Sequence, residues 1–86
     1  MEVVFSKKAY KDYEKLKQYP ALLEKVKSLI ELISNNPYAT PPSYEKLIGF
    51  KDVYSRRINI QNRLIYQVRK EEQVIVIIRM WTHYER

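Results

Sequence analysis

The chain has no cysteine, one glycine and one histidine, and each scarcity removes a class of chemistry. Without thiols there are no disulfides and no thiolate metal sites, so packing must hold the fold and a reducing compartment suits it. One glycine leaves no room for a glycine-rich phosphate loop. A single histidine, His83, excludes any mechanism that needs two. No zinc-ligand cluster and no Ser-His-Asp arrangement is present, and neither a metal nor a cofactor is expected. Long apolar runs are missing as well. The opening Met1-Glu2-Val3-Val4-Phe5-Ser6 meets Lys7 and Lys8 too soon for a signal peptide or a membrane span, so the expected location is cytoplasmic, away from membranes.

What remains is ample for one small globular unit. Its 86 residues allow a single domain over 1–86, because a chain of this size encloses one core. Hydrophobic residues make up 45% and charged residues 30%, which places it outside the disordered classes. Sixteen Lys and Arg against ten Asp and Glu give a net charge of +6. That balance favours polyanions or an acidic protein as partner.

Periodicity predicts an α+β fold of order β-α-α-β-β-β, with two N-terminal helices on one face of a small, mostly antiparallel sheet. Glu2 to Phe5 reads as a strand. Ser6 caps a helix running to about Gln18, with Ala9, Tyr10, Tyr13 and Leu16 as core or helix-pair contacts. Pro20 opens a second helix whose apolar stripe is Leu22, Leu23, Val26, Leu29, Ile30 and Ile33. Asn35-Asn36-Pro37 ends it, asparagine tolerating the left-handed conformation. Residues 37 to 53 read as a long irregular connection, and long ordered loops often carry function. Strand-like runs follow at Val53 to Ile60, Arg63 to Arg69 and Gln73 to Trp81. Val74-Ile75-Val76-Ile77-Ile78 is apolar at every position, the mark of a strand covered on both faces and expected at the centre of the sheet.

Parity sharpens this picture. Tyr54, Ile58, Ile60, Leu64, Tyr66 and Val68 all occupy even positions, so an even face packs on the helices and Ser55, Arg57, Asn59, Arg63, Ile65 and Gln67 point the other way. Arg57 and Arg63 then share the open face, which requires an odd-length loop or a bulge near Ile60-Gln61-Asn62. Arg56 has inward parity and is expected to snorkel to the sheet edge in a lesser role.

A ribonuclease working without metal must deprotonate a 2′-hydroxyl, stabilise the phosphorane and protonate the leaving 5′-oxygen. Carboxylate or histidine, arginine and histidine suit those tasks in turn. Glu45 follows the Pro41-Pro42-Ser43-Tyr44 loop ahead of the open face; it reads either as a catalytic carboxylate or as a loop acid paired with Lys46. Arg57 and Arg63 could clamp a phosphate with their forked donors or merely decorate a strand. His83 is either a proton carrier or a bystander near the terminus. The lysines of the helices, Lys25 among them, read as solubilising singly and as RNA-attracting together.

Ser55-Arg56-Arg57-Ile58, then Asn62-Arg63-Leu64-Ile65-Tyr66, Glu45-Lys46-Leu47 and a terminal His83-Tyr84 resemble the YoeB/Txe toxins of the RelE superfamily. The resemblance covers nearly the whole chain. It implies a microbial-ribonuclease-like fold and cleavage of messenger RNA in the ribosomal A site. It also implies inhibition by a YefM/Axe-like antitoxin with an acidic segment, and a homodimer is an option for the free chain. By the same resemblance Glu45 is the general base, His83 the general acid, Arg63 and Arg57 the phosphorane stabilisers, and Tyr84 orients substrate or histidine. Where the family pattern has a lysine after the Leu, this chain has Ile48, so Lys46 or Lys51 is expected to supply that charge. Two other classes stay open: a non-catalytic RNA- or ribosome-binding module, and a protein that receives an acidic peptide.

Overall fold

The structure, a computed structural model, describes residues 1–83, with side chains through Trp81. The elements are β1 (Glu2–Phe5), α1 (Lys7–Leu16), α2 (Pro20–Asn35), β2 (Tyr44–Lys46), β3 (Val53–Arg57), β4 (Asn62–Arg69) and β5 (Val74–His83). One five-stranded sheet runs β1-β5-β4-β3-β2, antiparallel except for the β1–β5 pair. The α+β architecture is as expected, with one strand more than periodicity indicated. That strand, β2, lies inside the segment read as irregular. It has no pattern of its own and is a strand because Tyr44, Glu45 and Lys46 pair with Arg56, Ser55 and Tyr54 of β3. Among the described residues no helix is long and apolar enough to cross a membrane.

Ser6 caps α1, its Oγ accepting from Ala9 N at 3.0 Å and donating to the Ile78 carbonyl at 2.8 Å, so the cap also ties the helix to β5. The buried stripe of α1 is Ala9, Asp12 and Leu16, at spacings of three and four. Tyr10, expected in the core, falls beside that stripe and is 57% exposed. Pro20 takes the first turn of α2, which buries Val26, Leu29 and Ile33. The stop differs from expectation: Asn36 is extended (φ −157°, ψ 105°) rather than left-handed. The ring of Pro37 disfavours helical backbone in the residue before it, and Asn36 Oδ1 then accepts from Tyr38 N at 3.0 Å, closing a turn.

The even face packs on the helices as parity required: Tyr54, Ile58, Leu64, Tyr66 and Val68 join Leu16, Val26 and Ile33 in one cluster. Ile60 does not; it lies beyond the end of β3 and is 90% exposed. In β5, Ile75 and Ile77 are fully buried, whereas Val76 and Ile78 are only half-buried, so the strand is covered completely on one face alone; it lies between β1 and β4, and β4 takes the central place. The β4–β5 register slips twice: Tyr66 faces Ile77, Ile65 faces Arg79 and Arg63 faces Thr82. Each slip inserts one extra residue in β5, a bulge that breaks strict alternation along it.

Candidate active site

Strand pairing brings the open-face side chains together. Arg57 lies directly opposite Arg63, with the five residues 58–62 between them, the odd count that parity demanded. The turn is shaped by Asn59, whose Oδ1 accepts from Gln61 N at 3.0 Å and Asn62 N at 2.7 Å. Glu45 of β2 faces Ser55 of β3, and Ser55 faces Ile65, so these three share the odd face with Arg57 and Arg63. Across that row Arg63 Nη1 donates to Glu45 Oε1 at 3.1 Å and to Ser55 Oγ at 3.4 Å. Arg63 is well sheltered, its side chain 18% exposed, while that of Glu45 is 65% exposed. The result is a groove of about 500 Å³ with Glu45, Ser55, Arg57 and Arg63 along the sheet, Lys25 and Leu29 from α2, and Pro42 to Tyr44 from the connection.

Arg56, one residue before Arg57, has the opposite fate. It is fully buried and does not snorkel outward as expected. Its Nε donates to Tyr66 Oη at 2.9 Å, Nη1 to the Pro42 carbonyl at 2.6 Å and Nη2 to the Pro37 carbonyl at 3.0 Å. The guanidinium also lies over the Tyr44 ring, 5.0 Å from its centroid. Tyr66 Oη in turn donates to the Pro37 carbonyl at 2.9 Å. Burial pushes the Tyr66 phenol upward, against the pull of the Arg56 bond, so it stays a neutral donor. Arg56 therefore holds the connection at Pro37 and at Pro42, just before β2 presents Glu45, and no part of it reaches the groove surface.

The two lysines expected to replace the missing charge are elsewhere. Lys46 pairs with Tyr54 and so takes the face of β2 opposite to Glu45. Lys51 belongs to the turn between β2 and β3, where Gln67 Nε2 donates to its carbonyl at 3.1 Å. That turn needs a left-handed residue at Gly49 (φ +90°). Among the described residues, the lysine that lines the groove is Lys25, which by itself read as a solubilising charge.

His83 closes β5, opposite Asn62 and one step beyond the Arg63–Thr82 pair. Its side chain and the whole of Tyr84 lie outside the described residues. Asn62 is nearly buried, and among the described residues its Oδ1 has no hydrogen-bond partner.

A small basic α+β domain with a carboxylate and two arginines across an open sheet face defines a class before any name is attached. A family model for the YoeB-like toxin of bacterial type II toxin–antitoxin systems matches residues 5–84. The toxin YoeB of Synechocystis is 30% identical over 91 residues, covering all of both chains. Among solved structures, the YoeB/ParE toxin from Agrobacterium tumefaciens superposes with a TM-score of 0.88 at 30% identity, covering 98% of this chain and 100% of that one. A heterotetrameric YoeB–YefM toxin–antitoxin complex from Staphylococcus aureus matches with a TM-score of 0.82 at 31% identity, covering 98% of each chain. The chain belongs to the YoeB-like toxins, within the RelE superfamily, and is a toxin of the type II toxin–antitoxin kind.

Proposed function

We propose that this toxin is a metal-independent endoribonuclease that cuts messenger RNA in the ribosomal A site. The observation that carries the reading is the bridge from Arg63 Nη1 to Glu45 Oε1, 3.1 Å long, in an open groove with Arg57 alongside. A scissile phosphate entering the groove competes with Glu45 for the Arg63 donors. Once it takes them, the Glu45 carboxylate is released to receive the proton of the neighbouring 2′-hydroxyl. The 2′-oxygen attacks phosphorus, the phosphorane charge rests on Arg63 and Arg57, and the bond from phosphorus to the 5′-oxygen breaks as His83 protonates that oxygen. The products are a 2′,3′-cyclic phosphate and a 5′-hydroxyl. Tyr84 orients the base or the histidine.

Each proton carrier of this kind contributes ~10²–10⁴-fold, and a shallow groove does little to position a flexible strand, so the ribosome must supply the alignment. Naked RNA should be cut poorly; efficient cleavage of purified RNA at low protein concentration would contradict this dependence. A cognate antitoxin with an acidic segment fits the same groove by charge complementarity, in line with the Staphylococcus aureus relative, which forms a complex with YefM.

The decisive experiment maps cleavage ends on a defined messenger RNA in a purified translation system, comparing the native chain with Glu45→Ala and His83→Ala. Discrete ribosome-dependent cuts that both substitutions abolish are expected. Absence of cuts from folded native protein favours a non-catalytic ribosome-binding role instead.

A further inference from the structure

Asp12 is an acid within the buried stripe of a lysine-rich helix, 3% exposed. Burying a carboxylate is costly unless its oxygens are bonded, and here they are. Oδ2 accepts from Arg79 Nε at 2.8 Å, Met80 N at 3.0 Å and Trp81 N at 3.3 Å, and Oδ1 accepts from Arg79 Nη2 at 3.1 Å. The two amides belong to consecutive residues in the stretch of β5 where its register against β4 slips. On the other side β1 has already ended, its last pair being Phe5 with Ile77. Backbone donors in such a stretch lack a strand to receive them and must be satisfied some other way. Asp12 stands where that strand would be. Immediately after these residues come Thr82, opposite Arg63, and His83, opposite Asn62.

We propose that Asp12 is a positioning residue for the terminal acid. By gathering Arg79 and the amides of Met80 and Trp81 it fixes the bulged course of β5, and with it the register at which His83 arrives beside the arginine groove. The inference rests on the reading of His83 as the proton donor. A helix outside the groove thus sets the geometry of the last strand, and Tyr19, just before α2, adds a second hold by packing edge-on against the Trp81 ring at 5.1 Å.

The single histidine makes the test direct, because the imidazole gives one set of NMR signals. In Asp12→Asn the amide protection of Met80 and Trp81 should fall, and the His83 ring signals and their titration midpoint should move. Cleavage at saturating ribosomes should drop ~10- to 100-fold while the half-saturating ribosome concentration changes by less than about twofold. Asp12→Glu, which keeps the carboxylate, should recover part of the rate. If Asp12 serves stability alone, the melting temperature falls but the His83 signals and the rate per folded molecule stay native, and that result overturns the proposal. Should Asp12→Asn fail to fold, Arg79→Lys breaks the two-bond grip of the guanidinium on Asp12 while the amide bonds keep the fold, so the His83 signals should move by a smaller amount with Met80 and Trp81 protection largely kept; unmoved His83 signals there also overturn the proposal. A native chain that cuts nothing would defeat the nuclease reading, yet the imidazole signals of the variants would still decide whether Asp12 positions His83.

Discussion

Arg56 and Arg57 are neighbours in the chain and opposites in the structure. Arg56 is wholly buried, with three donors bonded to Tyr66, Pro42 and Pro37. Arg57 is exposed at the groove, opposite Arg63. The alternation of β3 alone separates them, turning one guanidinium inward and the other toward solvent. A buried cation is tolerable only if the groups around it are acceptors. The connection supplies them as two proline carbonyls, whose residues offer no competing amide hydrogen. The same residue type thus pins the connection from one side of the sheet and supplies the charge of the groove on the other.

The largest effect that can break this comparison is at Arg56. Arg56→Ala takes the donor from the Pro42 carbonyl, removes one of two partners from both the Tyr66 hydroxyl and the Pro37 carbonyl, leaves a cavity in the interior and frees the segment that leads to Glu45. A loss of about 3–5 kcal/mol is expected, measured by urea unfolding, with the surviving folded fraction less active because Glu45 is no longer held. Arg57→Ala should do the reverse. Stability should stay within about 0.5 kcal/mol, while ribosome-dependent cleavage drops about 100-fold through loss of one phosphorane donor. Equal damage to stability from both substitutions would dissolve the distinction. Loss of activity without loss of stability at Arg56 would return it to the groove.

This division was half legible in the sequence. Even-position apolar residues from Tyr54 to Val68 revealed which face packs on the helices, and hence that Arg57 and Arg63 stand together. Alternation misled at Ile60, where the strand had already ended. It also carried no information about β2, whose three residues are ordered by β3 rather than by any pattern of their own. The carbonyls that make Arg56 a clamp lie 14 and 19 residues away in the chain, so inward parity alone could not distinguish a clamp from a snorkelling side chain. Asp12 was hidden for the same reason. On a helix rich in lysine it reads as one more solvated charge, and its partners are 67 to 69 residues distant. Lys25 entered the groove unannounced because the fold of the connection, not helix periodicity, decides which surface of α2 borders it.

Acid should separate the two supports of the site, and this is the smallest effect expected. Burial raises the Asp12 pKa, but the Arg79 hydrogen bond, the amides of Met80 and Trp81, and the charge of Arg79 outweigh it, leaving the folded value below 3.8. A carboxyl depressed by folding adds stability that is fully present above its unfolded pKa and is lost as pH falls through the folded one. The Asp12 contribution is therefore complete near neutrality and disappears only below about pH 4. At the other support the Tyr66 phenol, pushed upward by burial, stays neutral throughout. Lowering the pH should then loosen the end of β5 before the connection that carries Glu45. Amide protection factors followed from pH 5 to pH 2 should decline first at Met80 and Trp81 and later at Tyr44 and Glu45, and Asp12→Asn should erase that order. A simultaneous decline in the native chain would mean that the two supports form one cooperative unit, with the chain between Arg56 and Asp12 rigid enough to fail as a whole.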